Sequence, residues 1–211
     1  MKENKKVKII GTIVGIVLFI VLIAGFTYAW FTWESSKISV GGNTACFDIN
    51  YTEGNLVTDD MLLVDASKLI ANNKITIKRG MAVTQIVANK DPKCSKLKAK
   101  LSIVLHARTV NSVYYTNGKC ANALNYVLAS YDSSKITEVS ARALENMTFD
   151  IIDTYPVNAF GGRTILEKEL ADDGTKQEYL LIFYIDGDKA DDNIDGQKIE
   201  IDADVSAIQT S

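Results

Sequence analysis

The sequence predicts a mainly β protein, an antiparallel β-sandwich with one inserted helix, carried behind an apolar N-terminal helix. Three observations lead there. Apolar and polar residues alternate over 97–107, broken only by Val104, and again over 198–207, the period of a strand with one face on a core and one in water. Eight or nine such stretches are separated by turn residues, without the β-α-β alternation of a parallel sheet. Ahead of them all, residues 9–33 carry no charge, and Lys5, Lys6 and Lys8 stand just before.

A core helix keeps one polar face, and 9–33 keeps none, so its natural solvent is lipid. About 20 apolar residues span a bilayer, and the basic flank stays on the cytoplasmic side, so everything from Glu34 onward is expected outside. The segment either remains as a single-pass anchor with its N-terminus inside or is removed as a signal peptide. Thr27 and Ala29 place small residues three before and one before the Ala29–Trp30 bond, the pattern of a cleavage site. The expected division is 1–8 basic cytoplasmic flank, 9–33 signal or transmembrane helix, 34–43 linker, and 44–211 extracytoplasmic sandwich.

The 211-residue chain has 23 basic and 26 acidic side chains. Residues 1–29 hold four lysines and one glutamate, which leaves 19 basic and 25 acidic side chains beyond them, net −6. That excess argues against nucleic acid as a partner. Some 180 residues suffice for one well-buried domain. The C-terminal stretch Ser206-Ala207-Ile208-Gln209-Thr210-Ser211 has no apolar tail, so no second anchor is expected there.

In chain order, 44–51 alternates and ends on the turn residues 52–55. Asp65 then caps one or two helical turns over 65–70. Residues 74–78 alternate, and 81–88 is almost continuously apolar and β-branched, as in a strand covered on both faces. Over 97–107, Leu97, Ala99, Leu101, Ile103, Leu105 and Ala107 point inward, while Lys96, Lys98, Lys100, Ser102 and His106 point to water. Strand 122–130 follows a turn at Asn117-Gly118. The inserted helix is expected over 137–147, with Val139, Ala143, Leu144 and Met147 as its stripe. Short strands 148–152 and 164–170 flank Gly161-Gly162, and the wholly apolar 179–185 belongs mid-sheet. The last strand, 198–207, turns Ile199, Ile201, Ala203, Val205 and Ala207 inward.

Three cysteines allow at most one intrachain bridge. Cys94 and Cys120 sit in turn-like stretches and could staple two loop ends, whereas Cys46, inside an apolar strand, reads as a small buried hydrophobe, and the pairing among the three stays open.

Little in the chain carries chemistry. The one histidine, His106, stands on a wet strand face, and neither a nucleophile elbow nor a phosphate loop occurs. No enzyme is expected, and no cofactor. The exception to weigh is the acidic loop 186–196, with five aspartates. Within it Asp191, Asn193, Asp195 and Gly196 fit the opening of a calcium loop, oxygen ligands at alternate positions with glycine for the turn. The closing ligand falls on Asp202, already assigned to a strand, and a solvated hairpin loop is the preferred reading.

Tyr28-Ala29-Trp30-Phe31-Thr32, closing the apolar run on a small residue and an aromatic pair, resembles the leader end of the TasA/camelysin group of Firmicutes. The stretches 201–209 and 179–187 are similar to that group's last two strands. The resemblance covers both ends of the chain and leaves 52–160 unmatched. It implies a jelly-roll-type sandwich, released by a dedicated signal peptidase and assembling into surface or biofilm-matrix fibres. It brings no metalloprotease activity, because the zinc ligands have no counterpart here.

The chain is therefore expected to be a non-enzymatic cell-surface or matrix protein, anchored in the bilayer through 9–33 or cleaved and self-associating into fibres. The alternative is a membrane-tethered binding module or adhesin. Trp30, Phe31, Trp33, Ile38 and Val40 are the expected assembly residues: too apolar for a free tail, they suit a strand added to the sheet edge of a neighbour.

Overall fold

Strands occupy nearly every stretch that carries the two-residue period. The computed structural model describes residues 32–34, 40–41, 46–52, 61–109, 122–136, 138–157, 162–190 and 198–210. In chain order the strands are β1 (Thr32–Glu34), β2 (Val40–Gly41), β3 (Phe47–Thr52), β4 (Leu63–Val64), β5 (Ile70–Ala71), β6 (Lys74–Thr76) and β7 (Ala82–Lys90). They continue with β8 (Lys98–Thr109), β9 (Leu124–Ser130), β10 (Thr148–Pro156), β11 (Gly162–Glu169), β12 (Gln177–Asp186) and β13 (Lys198–Thr210). One helical turn, α1 (Ala66–Leu69), is capped by Asp65, whose carboxylate accepts from the Ser67 N–H at 3.1 Å.

Two sheets face one another. The five-stranded sheet runs β1-β13-β8-β11, with β2 also on β13, and the eight-stranded sheet runs β3-β7-β12-β9-β10-β6-β5, with β4 on β12. The main ladders are antiparallel, and β1, β2 and β4 are short parallel additions. Between the sheets lies one core. Ala99, Leu101, Ile103 and Leu105 of β8 and Ile201, Ala203 and Val205 of β13 meet Ile86, Tyr126, Leu128, Tyr179, Leu181 and Phe183. Ile103 has 0% exposure, and burying such a side chain stabilises the fold by about 1.5–3 kcal/mol.

Where side chains are described, the inward register expected for β8 and β13 is the one found, with two departures; the side chains of Ala107 and Ile199 lie outside those described. Leu97 precedes β8 and is 36% exposed, and Ser102, on the outward face, is buried.

The unbroken apolar runs have a separate cause. Odd residues of β12 enter the inter-sheet core, while Leu180, Ile182 and Tyr184 enter a second core on the sheet's other face with Val83, Val127 and Ala129. That face is covered by Leu69, Ile75 and Ile77, together with Ala141 and Leu144 from the β9–β10 connection. The sandwich thus has a partial third layer.

The helix expected over 137–147 is not formed as a regular helix; residues 141–146 are a run of turns. Leu144 N–H donates to Ser140 O at 2.9 Å, but Met147 N–H then bonds back three residues to Leu144 O. Tertiary pairing prevails over the local stripe. Asn146 N–H donates to Ile77 O, Ile77 N–H to Met147 O, and Asn146 takes φ 68°.

Cys46 is not the unbonded buried hydrophobe expected, and it takes the place of Cys120 as partner of Cys94. Cys46 and Cys94 form a disulfide across 48 residues, and Cys120 lies outside the described residues. Phe47 stands opposite Lys90, so the chain just before β3 and the turn just after β7 meet at one end of the sheet.

The sandwich begins earlier than the expected boundary at 44. β1 takes Thr32 and Trp33 from the apolar stretch, and β2 lies in the expected linker.

Candidate functional site

The expected assembly segment lies along a sheet edge. Thr32, Trp33 and Glu34 pair in parallel with Lys198, Ile199 and Glu200, and Val40 and Gly41 pair with Val205 and Ser206. Between the two described pairings the offset changes by one residue: Thr32 to Val40 is eight positions, and Lys198 to Val205 is seven. β13 holds its ladder to β8 over twelve consecutive pairs, Ile199–Thr210 against Thr109–Lys98, with no shift of register.

The opposite side of the sandwich is built differently. β10 carries a bulge between Ile151 and Asp153 and ends on Pro156, which has no N–H to offer. β11 carries a bulge between Thr164 and Leu166 and exposes Arg163, Glu167, Lys168 and Glu169. Bulges, proline and charge are the features that stop an edge from recruiting another strand. The regular β13 edge has none of the bulges, and β1 and β2 lie on it.

Between β10 and β11 the two sheets are tied by polar groups. Tyr126, buried on β9, donates its phenol hydrogen to Asp153 Oδ2 at 2.5 Å and accepts from Arg163 Nε at 2.9 Å. The Arg163 guanidinium lies 4.4 Å from the Tyr155 ring centre, a cation–π contact. Burial and the adjacent Asp153 carboxylate push the Tyr126 phenol up to about 12.

At the end of the sandwich where Cys46 and Cys94 are joined, the Lys90 ammonium is fully buried and donates to Leu97 O at 2.8 Å and to Asp172. Asp172 also accepts from Lys98 Nζ at 2.7 Å. Hydrogen bonds from the two ammoniums hold the Asp172 carboxyl down at about 2. Asp172 belongs to the β11–β12 turn, so this knot joins β7, β8 and that turn. The turn itself sits hard against Pro92: Gly174 has φ +79°, and a Cβ there would lie 2.7 Å from the Pro92 ring.

His106 lies on the outer face of the five-stranded sheet, its Nε2 2.9 Å from Asp204 Oδ2. A Cβ at Gly162, opposite it, would meet the imidazole at 2.8 Å. Of the acidic loop, Asp186 is buried, accepting from Asp188 N–H at 3.3 Å and pairing with Lys189 at 3.0 Å. Asp191, Asn193 and Asp195 lie outside the described residues. Among the described residues no group of three or more histidine, cysteine or acidic side chains is placed to hold a metal ion, and no helix is long and apolar enough to cross a membrane. Ala29, Trp30, Phe31 and Ile38 lie outside the described residues; for Trp33 and Val40 the strand pairing is described.

Sequence reasoning found the segment and its tendency to form a strand, and missed that its partner is the chain's own last strand. The signal was faint: Val40 and Val205 are both in alternating stretches, but alternation names no partner. No family model matches the chain, and no curated protein matches it.

Proposed function

We propose that this chain is a non-enzymatic structural protein of the cell surface or extracellular matrix. It is exported by its 9–33 segment and self-associates through the β13 edge once that segment is cut. The observation that carries the reading is the parallel pairing of Trp33 and Val40 with Ile199 and Val205. A segment that completes its own sheet can complete the same edge on another copy, because the main-chain bonds are identical. The Cys46–Cys94 bond supports export, since structural disulfides persist in oxidising compartments.

One observation favours the alternative, a membrane-tethered binding module: the edge is already paired within one chain at 198–200 and 205–206, so a second copy would have to displace those pairs. The two readings separate on material recovered from the native host. Mass spectrometry finding an N-terminus at Trp30, with filaments in the electron microscope, supports the structural protein. An N-terminus at Met1 with monomers only rejects it.

A further inference from the structure

We infer that the Cys46–Cys94 disulfide is a stop that fixes where the exchangeable N-terminal arm ends, keeping β3 with its own sandwich. The use of such a stop rests on the assembly reading above, but the mechanical claim does not.

The arm and β3 are consecutive edge strands on opposite sheets: β1 and β2 lie on β13, and β3 lies on β7. Each is held along one side only among the described residues, so each is a strand that peels without opening a sheet centre. An arm pulled away from β13 hauls on the chain at Gly41 and then on Cys46. The first β3 residue to feel that pull is Phe47, at the start of the ladder with Lys90. At that point Asp91 N–H donates to Cys46 O at 2.9 Å, and the disulfide ties Cys46 to the turn Pro92–Cys94. Hydrogen bonds alone would yield one at a time from this end; a covalent bond placed ahead of the first ladder pair does not.

The stop also sets a reach. Five Cα–Cα steps lead from Gly41 to Cys46, so an arm bonded to a neighbour keeps that neighbour's Ser206 within roughly 17 Å of Cys46, plus one strand spacing. Without the bond, β3 adds six more residues to the tether.

The test is hydrogen–deuterium exchange, read by mass spectrometry, on the full chain in detergent micelles. Wild type is compared with the Cys46→Ser, Cys94→Ser double variant and with wild type reduced by dithiothreitol, whose two thiols form its cyclic disulfide as both cysteines regain their hydrogens. The expected result is at least tenfold faster exchange over 47–52, with β9 and β12 unchanged. No change over 47–52 overturns the inference. So does equal acceleration of all strands, or loss of the fold in both preparations, because the bond would then be a staple of the whole domain. Electron microscopy of cleaved protein reads assembly separately, so a failure to form filaments leaves this result standing.

Discussion

Val40 stands opposite Val205 in parallel register, on the side of β13 that β8 leaves free. The pairing makes the N-terminal segment part of the sandwich, and it gives the assembly reading a defined acceptor. A fragment beginning at Trp30 is expected to assemble. One beginning at Gly41 loses β1 and Val40 and is expected to stay monomeric. Light scattering of the two at equal concentration decides it, and assembly of the shorter fragment to the same degree would rule out the segment as the joining strand.

Ile103 and Lys100 test the faces of β8. Ile103→Asp puts an unpaired charge between the sheets, at a cost of several kcal/mol against a total stability of about 5–15, and should abolish folding. Lys100, three residues earlier on the outward face, should tolerate aspartate at about 0.5 kcal/mol or less. Urea denaturation of both variants checks this. Equal damage would mean that the outer face of the five-stranded sheet is covered.

These strands were legible because period two records which face is dry, and β8 and β13 each have one dry face. β7 was legible as a strand covered on both faces and β12 as a mid-sheet strand, but what covers their second face was not. Leu69, Ile77 and Leu144 come from separate parts of the chain and share no motif. The Cys46–Cys94 pairing escaped for a related reason: it follows from β3 lying beside β7, and strand order is not written in alternation. The expected helix failed where Ile77 recruits the backbone of Asn146 and Met147, a contact about seventy residues away in sequence. The proposed assembly segment was legible as apolar and extended, whereas the strand it pairs with here, β13, depended on the same missing strand order.

Calcium is expected to have no effect. Asp186, the buried carboxylate at the root of the acidic loop, is already engaged by Lys189 and by the Asp188 N–H. Millimolar Ca²⁺ should therefore leave the melting temperature unchanged in wild type and in an Asp191→Ala, Asp195→Ala variant alike. A rise in wild type that the double variant abolishes would establish the loop as a calcium site.

Tyr126→Phe should cost about 1–3 kcal/mol, because it removes the buried hydroxyl that bonds both the half-exposed Asp153 carboxylate and the Arg163 guanidinium. The pH dependence carries a second signature. Burial pushes Tyr126, Tyr131, Tyr179 and Tyr184 up to about 12, from an ordinary 10. The unfolded chain gives up these protons first, so stability is whole below pH 10 and falls as pH rises towards 12. Urea midpoints measured across that window should fall less steeply for Tyr126→Phe than for wild type. Parallel curves would mean that Tyr126 takes no part in the alkaline loss.

Asp172 contributes to the acid limb, beside Asp65, which Lys68 and Ser67 also hold at about 2. Lys90 and Lys98 hold the Asp172 carboxyl at about 2, against an ordinary 3.8. A depressed carboxyl contributes stability that is complete above the unfolded value and disappears as pH falls through the folded one. The difference between wild type and Asp172→Asn should therefore be constant from pH 7 to about 4 and shrink between pH 4 and pH 2. Asp173 is the control. Its carboxyl is lowered by Thr175 within the same turn and touches neither lysine in the knot. Asp173→Asn should cost less, because it leaves no buried charge behind, whereas Asp172→Asn leaves the Lys90 ammonium buried without its carboxylate. Chemical denaturation of both variants at pH 7 and pH 3 separates the two roles. If Asp173→Asn proved the more damaging at pH 7, the knot at the disulfide end would owe its stability to the shape of the turn and not to the Lys90 ion pair.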